Sequence, residues 1–349
     1  MAVWDGERKI RVLVVDDSYV FREVLVRGIS SDPAIEVVAS AKDPYDARDK
    51  LLEYKPDLMT CDIEMPGMNG IAFIRQLLPQ YPLPVIAVSS HGESALEALH
   101  AGAVEFVAKP AFRNAEYVED FLLQLIQKIK IAAHAKVARK EARPRKNELG
   151  AAAQPAGPIK DRDKLIVIGA STGGTEAIHY LLQQLPADMP GIVIVQHMPP
   201  IFSRMFAERL NRSCPQEVSE ASGYDYVKPG TVLIAPGDRH ASIVKAGDRF
   251  RVECHRGEKV SGHCPSVDVL FDSAAKAAGD RAIGILLTGM GQDGAKGMLA
   301  LRQSGARTIA QDEASSVVYG MPKAAYDIGA VEVRAALQDI SRILLTLLS

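Results

Sequence analysis

Short apolar runs alternate with helix-spaced apolar positions along most of the chain. Ile10 to Val15 is an apolar-rich run of strand length, and from Val20 to Ile29 the apolar residues recur at helical spacing. Ile35 to Ala39, Leu58 to Cys61, Val85 to Val88 and Glu105 to Val107 read as further strands, and Phe121 to Ile129 as a closing helix. Five strands alternating with helices predict a parallel sheet wound on both faces.

The pattern then breaks. Lys136, Arg139, Lys140, Arg143, Arg145 and Lys146 form a basic run, followed by Ala151 to Ala153, Pro155, Gly157 and Pro158. The first part can prolong a helix, whereas the second holds no regular structure and reads as a linker. Alternation restarts with strands at Leu165 to Gly169, Gly191 to Gln196, Thr231 to Ala235, Ala282 to Leu287 and Arg307 to Ala310. Ser242 to Lys245 and Phe250 to Cys254, joined across Ala246-Gly247-Asp248, predict an antiparallel hairpin added to that second sheet. Leu337 to Leu348 predicts a closing amphipathic helix. The expected division is therefore residues 1–130, a linker over 131–163, and a second α/β domain over 164–349.

A length of 349 residues suits two domains, and 47% hydrophobic with 24% charged residues lets each build a core. A net charge of −2 supplies no global field for nucleic acid or membrane, and the basic run is expected to be solvated or matched to an acidic partner. No apolar run reaches membrane-spanning length, and Met1 to Lys9 lacks a signal pattern. Four cysteines without a C-x-x-C pair point to free thiols in a reducing compartment, so a cytoplasmic enzyme is expected.

In open parallel sheets, ligands collect beyond the carboxyl ends of the strands. Asp16 and Asp17 follow the first strand, Asp62 the third, Ser89 the fourth, and Lys109-Pro110 the fifth. Crowded carboxylates repel unless a cation joins them, and hard oxygen ligands suit Mg²⁺. A lysine and a hydroxyl opposite suit phosphoryl transfer to a carboxylate. An isolated Asp-Asp pair reads as a solvated turn; matched residues at four strand ends do not. The stretches VLVVDDS, DLMTCDIEMPGMNG, VSS and FVAKP resemble the response-regulator receiver domain. That resemblance implies a flavodoxin-like fold with Asp62 as phospho-acceptor. It places Asp16, Asp17, Asp62 and the backbone of Glu64 around Mg²⁺. Ser89 becomes the switch hydroxyl, Phe106 the aromatic reporter and Lys109 the phosphate-sensing cation, with a histidine kinase as phosphodonor.

In the second half, Leu165 to Gly169 runs into Ala170-Ser-Thr-Gly-Gly174 and then a helix. Strand, tight turn and helix lift a serine hydroxyl beside backbone N–H groups that can cradle an oxyanion or a phosphate. A dinucleotide-binding turn is the rival reading. Its ribose-binding acid is expected at the end of the next strand, where Gln196-His197 stands instead. His197 lies beside Ser171 if the two strands are neighbours. A third strand opens into Thr288-Gly-Met-Gly-Gln-Asp293-Gly294, whose glycines let Asp293 turn toward the imidazole. Nucleophile, base and orienting acid at strand ends suit acyl transfer, and roles rather than chain order define such a triad.

IGASTGGTEAI, VQHMPP, LIAPGDRH, PSVDVLF, LLTGMGQDGAKG and AQDEASSVVYGMPKAA resemble the chemotaxis protein-glutamate methylesterase family over 164–348. The resemblance implies Ser171 as nucleophile, His197 as base and Asp293 as orienting acid, with Thr172 and the N–H of Met290 supporting the oxyanion. It implies hydrolysis of glutamate methyl esters, and deamidation of selected glutamines, on chemoreceptors. No cofactor is expected in this domain. Receiver phosphorylation is expected to loosen a contact that covers the active site.

Three positions depart from the family pattern. The stretch after Ser89 is about one helical turn short, Cys264 stands where arginine is expected, and Ser316 stands where cysteine is expected. His240, His255 and His263 lack metal-ligand spacing and read as structural, and Asp268 and Asp312-Glu313 read equally as groove or turn charges. A phosphorylation-dependent binding module with an unused esterase site is the alternative function. Nothing after the linker resembles a DNA-binding helix-turn-helix.

Overall fold

A computed structural model describes residues 8–110, 115–137, 159 and 161–349, with backbone alone at 115 and 116. The chain divides into two compact units, Met1–Arg143 and Pro144–Ser349. Most of the expected linker, residues 138–158 and 160, lies outside the described residues; its first residues instead continue the preceding helix.

The first unit runs β1 (Ile10–Val15), α1 (Tyr19–Ser30), β2 (Ile35–Ala41), α2 (Pro44–Tyr54), β3 (Leu58–Asp62), α3 (Gly70–Leu77), β4 (Val85–Ser89), α4 (Gly92–Ala101), β5 (Glu105–Ala108) and α5 (Ala115–Ala132). The strands pair in parallel in the order β2-β1-β3-β4-β5. Helices cover both faces, which explains why β3 and β4 are buried at every position. Strands give way to helices at capped junctions. Ser18 Oγ accepts from Phe21 N, Asp43 from Tyr45 N and Asp46 N, and Asn69 from Ala72 N. Strand order reverses beside β1, so a crevice forms beyond β1 and β3.

The second unit comprises β6 (Leu165–Ala170), α6 (Gly174–Gln183), β7 (Ile192–Gln196), α7 (Phe202–Ser213), β8 (Glu217–Glu220), β9 (Tyr224–Tyr226), β10 (Thr231–Ile234), β11 (His240–Ala246) and β12 (Arg249–His255). It continues with α8 (Val267–Ala278), β13 (Ala282–Leu286), α9 (Ala295–Gln303), β14 (Arg307–Gln311), α10 (Met321–Asp327), β15 (Val333–Ala335) and α11 (Leu337–Leu348). Seven parallel strands are ordered β15-β14-β13-β6-β7-β10-β8. The switch point is β6, flanked by β7 and β13, the three strands whose ends carry Ser171, His197 and the Asp293 loop. The α11 helix buries Ile340, Leu344, Leu345 and Leu348, as a closing amphipathic helix does. No helix among the described residues is long and apolar enough to cross a membrane.

The hairpin corrects one expectation. β11 and β12 pair antiparallel as anticipated, but they join β9 in a separate three-stranded sheet and do not extend the parallel one. Ile243, Phe250 and Val252 enter the core shared with Leu270, Phe271 and Ala274 of α8. Ser273 Oγ accepts from Ile243 N at 2.9 Å, fixing the hairpin across that helix. Burying an apolar face against α8 outweighs continuing a ladder whose edge β8 already closes. β8, β9 and β15 are the strands that apolar patterning does not mark: each is three or four residues long, and β8 and β9 are polar at most positions.

Candidate active site and acceptor pocket

At the switch point of the first sheet, Asp16 and Asp62 are buried and Asp17 is exposed, and carboxylate oxygens of all three lie within 4.8 Å of one another. Lys109 Nζ stands 2.6 Å from Asp62 Oδ2 and 2.9 Å from Asp16 Oδ2. Glu64 N donates to Asp62 Oδ1 at 3.1 Å, and Ser18 N to Asp16 Oδ1 at 2.9 Å. Burial, with the adjacent Asp62 charge, raises Asp16 to about 6 against the pull of Lys109 and Ser18 N–H. Burial alone would lower Lys109, but its two carboxylate partners prevail and raise it. Ser89 does not face Asp62 freely: its hydroxyl donates to Glu64 Oε1 at 2.5 Å and accepts from His91 N at 3.1 Å. Phe106 is buried, with Lys128 Nζ 5.1 Å from its ring centre.

In the second unit, Ala170 pairs with Gln196 at the end of β6 and β7, so Ser171 and His197 are the next residues on adjacent strands. The turn between β6 and α6 is held from both sides. Ser171 N donates to Thr288 O at 3.0 Å, and Gln196 Nε2 donates to Ser171 O at 3.0 Å and to His197 O at 3.1 Å. Gly173 takes φ +78° where the chain turns into α6, and a Cβ on Gly174 would lie 2.2 Å from Gln196 Oε1. The two glycines thus serve close backbone packing around the serine. Gly289 packs against Ser171 so closely that a Cβ there would sit 2.7 Å from the serine Cβ, which brings the Gly289-Met290 backbone beside Ser171. Thr172 is buried, and Thr288 Oγ1 donates to its carbonyl at 3.0 Å.

His197 Nε2 lies 2.8 Å from Asp293 Oδ2. Asp293 is fully enclosed and also accepts from Val267 N at 2.8 Å, Asp268 N at 3.0 Å and Ser266 Oγ at 2.7 Å, at the N-terminus of α8. Burial would raise this carboxyl, but His197, the Asp268 amide and Ser266 outweigh it and hold it below the ordinary range. An ionised Asp293 fixes the tautomer: Nε2 carries the hydrogen and Nδ1 keeps the lone pair. Nδ1 is buried without a hydrogen-bond partner, so the Ser171 hydroxyl, half-buried one residue beyond the paired strand ends, is not bonded to it here. Such contacts often tighten only when substrate binds.

Three residues of this site escape sequence pattern. Ser266 completes the Asp293 cradle, and Gln196 ties Ser171 to His197. His263, expected to be structural, stacks on His197 with ring centres 3.7 Å apart and planes 8° apart, and a donor atom of each ring lies within 4.8 Å of Asp293. Asp268 is a buried brace rather than an open groove charge, accepting from Gly297 N at 2.8 Å and Ser261 Oγ at 2.7 Å. Burial, with Asp293 nearby, raises its carboxyl. Ser316 is buried, and its hydroxyl donates to Asp312 O at 2.6 Å, a bond that a thiol would make poorly.

A serine, a histidine and a buried carboxylate at one sheet's switch point, in a chain whose other sheet gathers carboxylates around a lysine, fit the parts of a signalling hydrolase that carries its own receiver. Residues 12–119 match the response regulator receiver domain, and residues 166–344 match the CheB methylesterase family. The chain belongs to the CheB methylesterase family. It is 54% identical over 342 residues, 98% of each chain, to protein-glutamate methylesterase/protein-glutamine glutaminase 2 of Syntrophomonas wolfei. It is 46% identical over 345 residues to the Salmonella typhimurium protein-glutamate methylesterase/protein-glutamine glutaminase, covering 98% of this chain and 97% of that one. The CheB methylesterase catalytic domain of Thermotoga maritima superposes with a TM-score of 0.52 at 37% identity, covering 53% of this chain and 98% of that domain.

Proposed function

We propose that the chain hydrolyses glutamate methyl esters on chemoreceptors, and deamidates selected glutamines there, under control of phosphorylation at Asp62. The observation that carries the esterase reading is the His197–Asp293 pair, which leaves Nδ1 as the basic nitrogen of that ring, beside the serine-bearing strand end. Ser171 Oγ attacks the ester carbonyl while Nδ1 takes its proton. The Thr172 side and the Met290 N–H receive the oxyanion. His197 then returns the proton to the departing methoxide, and methanol leaves. Water, deprotonated by the same nitrogen, cleaves the acyl-enzyme and restores Ser171. An amide passes through the same intermediate and releases ammonia. Acyl transfer through serine calls for no cofactor in this half.

In the receiver, Asp62 accepts a phosphoryl group from a histidine kinase. Asp16, Asp17, Asp62 and the backbone of Glu64 would hold Mg²⁺ there. The cluster suits a cation because its carboxylates crowd within 4.8 Å, and burial with the adjacent Asp62 raises Asp16 to about 6, a cost to its charged form that a cation would relieve. When bound, Mg²⁺ supplies positive charge against the acids and the incoming phosphoryl oxygens. Lys109 and Ser89 are the side chains that meet that group, Ser89 by leaving Glu64, with Phe106 as the reporter ring. The working boundaries are 1–130 for the receiver, 131–163 for the linker and 164–349 for the esterase, acting in the cytoplasm on membrane receptors without insertion.

The test is methanol release from methylated receptor membranes by wild type and Ser171→Ala. Release by wild type that falls to background in the variant is expected. No release from folded wild type would favour a binding module instead.

A further inference from the structure

His197 is gripped along its edge by Asp293, yet an imidazole held at one nitrogen still pivots about that bond. What covers its face is the ring of His263, and the backbone presenting that ring is unusually determined. Val260 and His263 exchange both backbone hydrogen bonds, at 3.0 Å each, across a two-residue turn. Ser261 and Gly262 take φ of +51° and +84°, the left-handed pair of a tight hairpin turn. For Ser261 that conformation is costly, and Asp268 secures it by accepting its hydroxyl at 2.7 Å. His240 pins the loop on either side, with Nε2 donating to Glu258 O at 2.9 Å and Nδ1 accepting from Ser266 N at 3.2 Å. Within the turn, His263 Nδ1–H donates to Ser261 O at 2.9 Å, which fixes the ring plane. Asp268 donates its own N–H to Asp293, so one helix N-terminus braces both stacked rings.

Building on the triad reading above, we propose that His263 is a positioning residue for His197: a flat, neutral ring that fixes the tilt of the base and steadies the imidazolium formed as Ser171 attacks. A cation over an aromatic face is attracted to it, whereas a second cation 3.7 Å away would oppose proton transfer. Neutrality is therefore part of the role. Burial, then the adjacent His197, lower the proton affinity of His263, with Lys259 acting the same way and Asp293 and the Ser261 carbonyl opposing. Ring and charge can be separated by substitution: Phe keeps a flat neutral face, Ala removes the face, and Arg keeps a flat group but makes it permanently cationic.

The experiment uses the full chain and a small fluorophosphonate, which labels an activated serine by forming an Oγ–P bond and expelling fluoride, independently of any receptor. The readout is the second-order labelling rate of Ser171, with thermal unfolding as the check on folding. Ala and Arg are expected to label about tenfold more slowly than wild type, and Phe within about threefold of it. Should Ala fail to fold, Phe against Arg decides. Equal rates in Phe and Arg, or a folded Phe variant as slow as Ala, overturns the role of His263. An unreactive wild type overturns the triad reading itself.

Discussion

Asp16 and Asp293 are both buried carboxylates at the switch point of a parallel sheet, yet their charges are set in opposite directions. Asp16 shares one lysine with Asp62, receives one backbone N–H, and is raised to about 6. Asp293 receives two backbone N–H groups, a serine hydroxyl and an imidazole, and is held below the ordinary range. Burial disfavours charge in both, so the number and sign of the donors decide the outcome. The sparse donor set of Asp16 fits the proposed cation and phosphoryl site, and the full donor set of Asp293 fits its proposed role of orienting His197.

The largest break of this contrast is in the esterase. Asp293→Asn keeps the size but removes the charge that dictates which nitrogen of His197 is basic, and methanol release is expected to fall about 10³-fold or more. Asp62→Asn is expected to leave unstimulated release within about twofold and to abolish its response to a small phosphodonor, a selective loss that Asp293→Asn cannot produce. Ser266→Ala takes one donor from Asp293 while sparing the backbone pair; release is expected to drop about tenfold, with the receiver's response intact.

The smallest effect sharpens the comparison from the other side. Because the fold raises the pKa of Asp16, its contribution to stability is present at low pH and is lost as pH rises through about 6. Mg²⁺ should therefore raise the melting temperature of the receiver more at pH 7.5 than at pH 5, by a few degrees. In Asp16→Asn that pH dependence should flatten; a wild-type Mg²⁺ shift independent of pH would count against the crowded-acid account.

Much of both sites was legible because parallel sheets place chemistry where apolar runs stop. Asp16, Asp62, Ser89, Lys109, Ser171 and His197 each follow such a run directly or within a residue or two, and the glycines of Gly289-Met290-Gly291 marked the turn that brings Asp293 back. Strand adjacency then supplied the rest: β6 beside β7 and β13 needed no side-chain foresight. Ser266 and His263 were not legible, because they reach the triad from a loop pinned by His240, and nothing local in the sequence announces that pin. The hairpin's pairing could be read from Ala246-Gly247-Asp248, but its sheet could not. Partner choice depended on packing against α8, the element that follows β12, and the turn residues that set the pairing do not encode that contact.

The most direct test of the central claim, that Asp62 chemistry governs Ser171 chemistry, is methanol release from methylated receptor membranes with Mg²⁺, with and without a small phosphodonor, in wild type and Asp62→Asn. Release that rises at least about tenfold with phosphodonor in wild type and stays flat in the variant is the predicted result, a change of about 1.4 kcal/mol in the controlling equilibrium. Equal stimulation of both proteins, or a wild type whose release ignores the phosphodonor while Asp62 is phosphorylated, would contradict it.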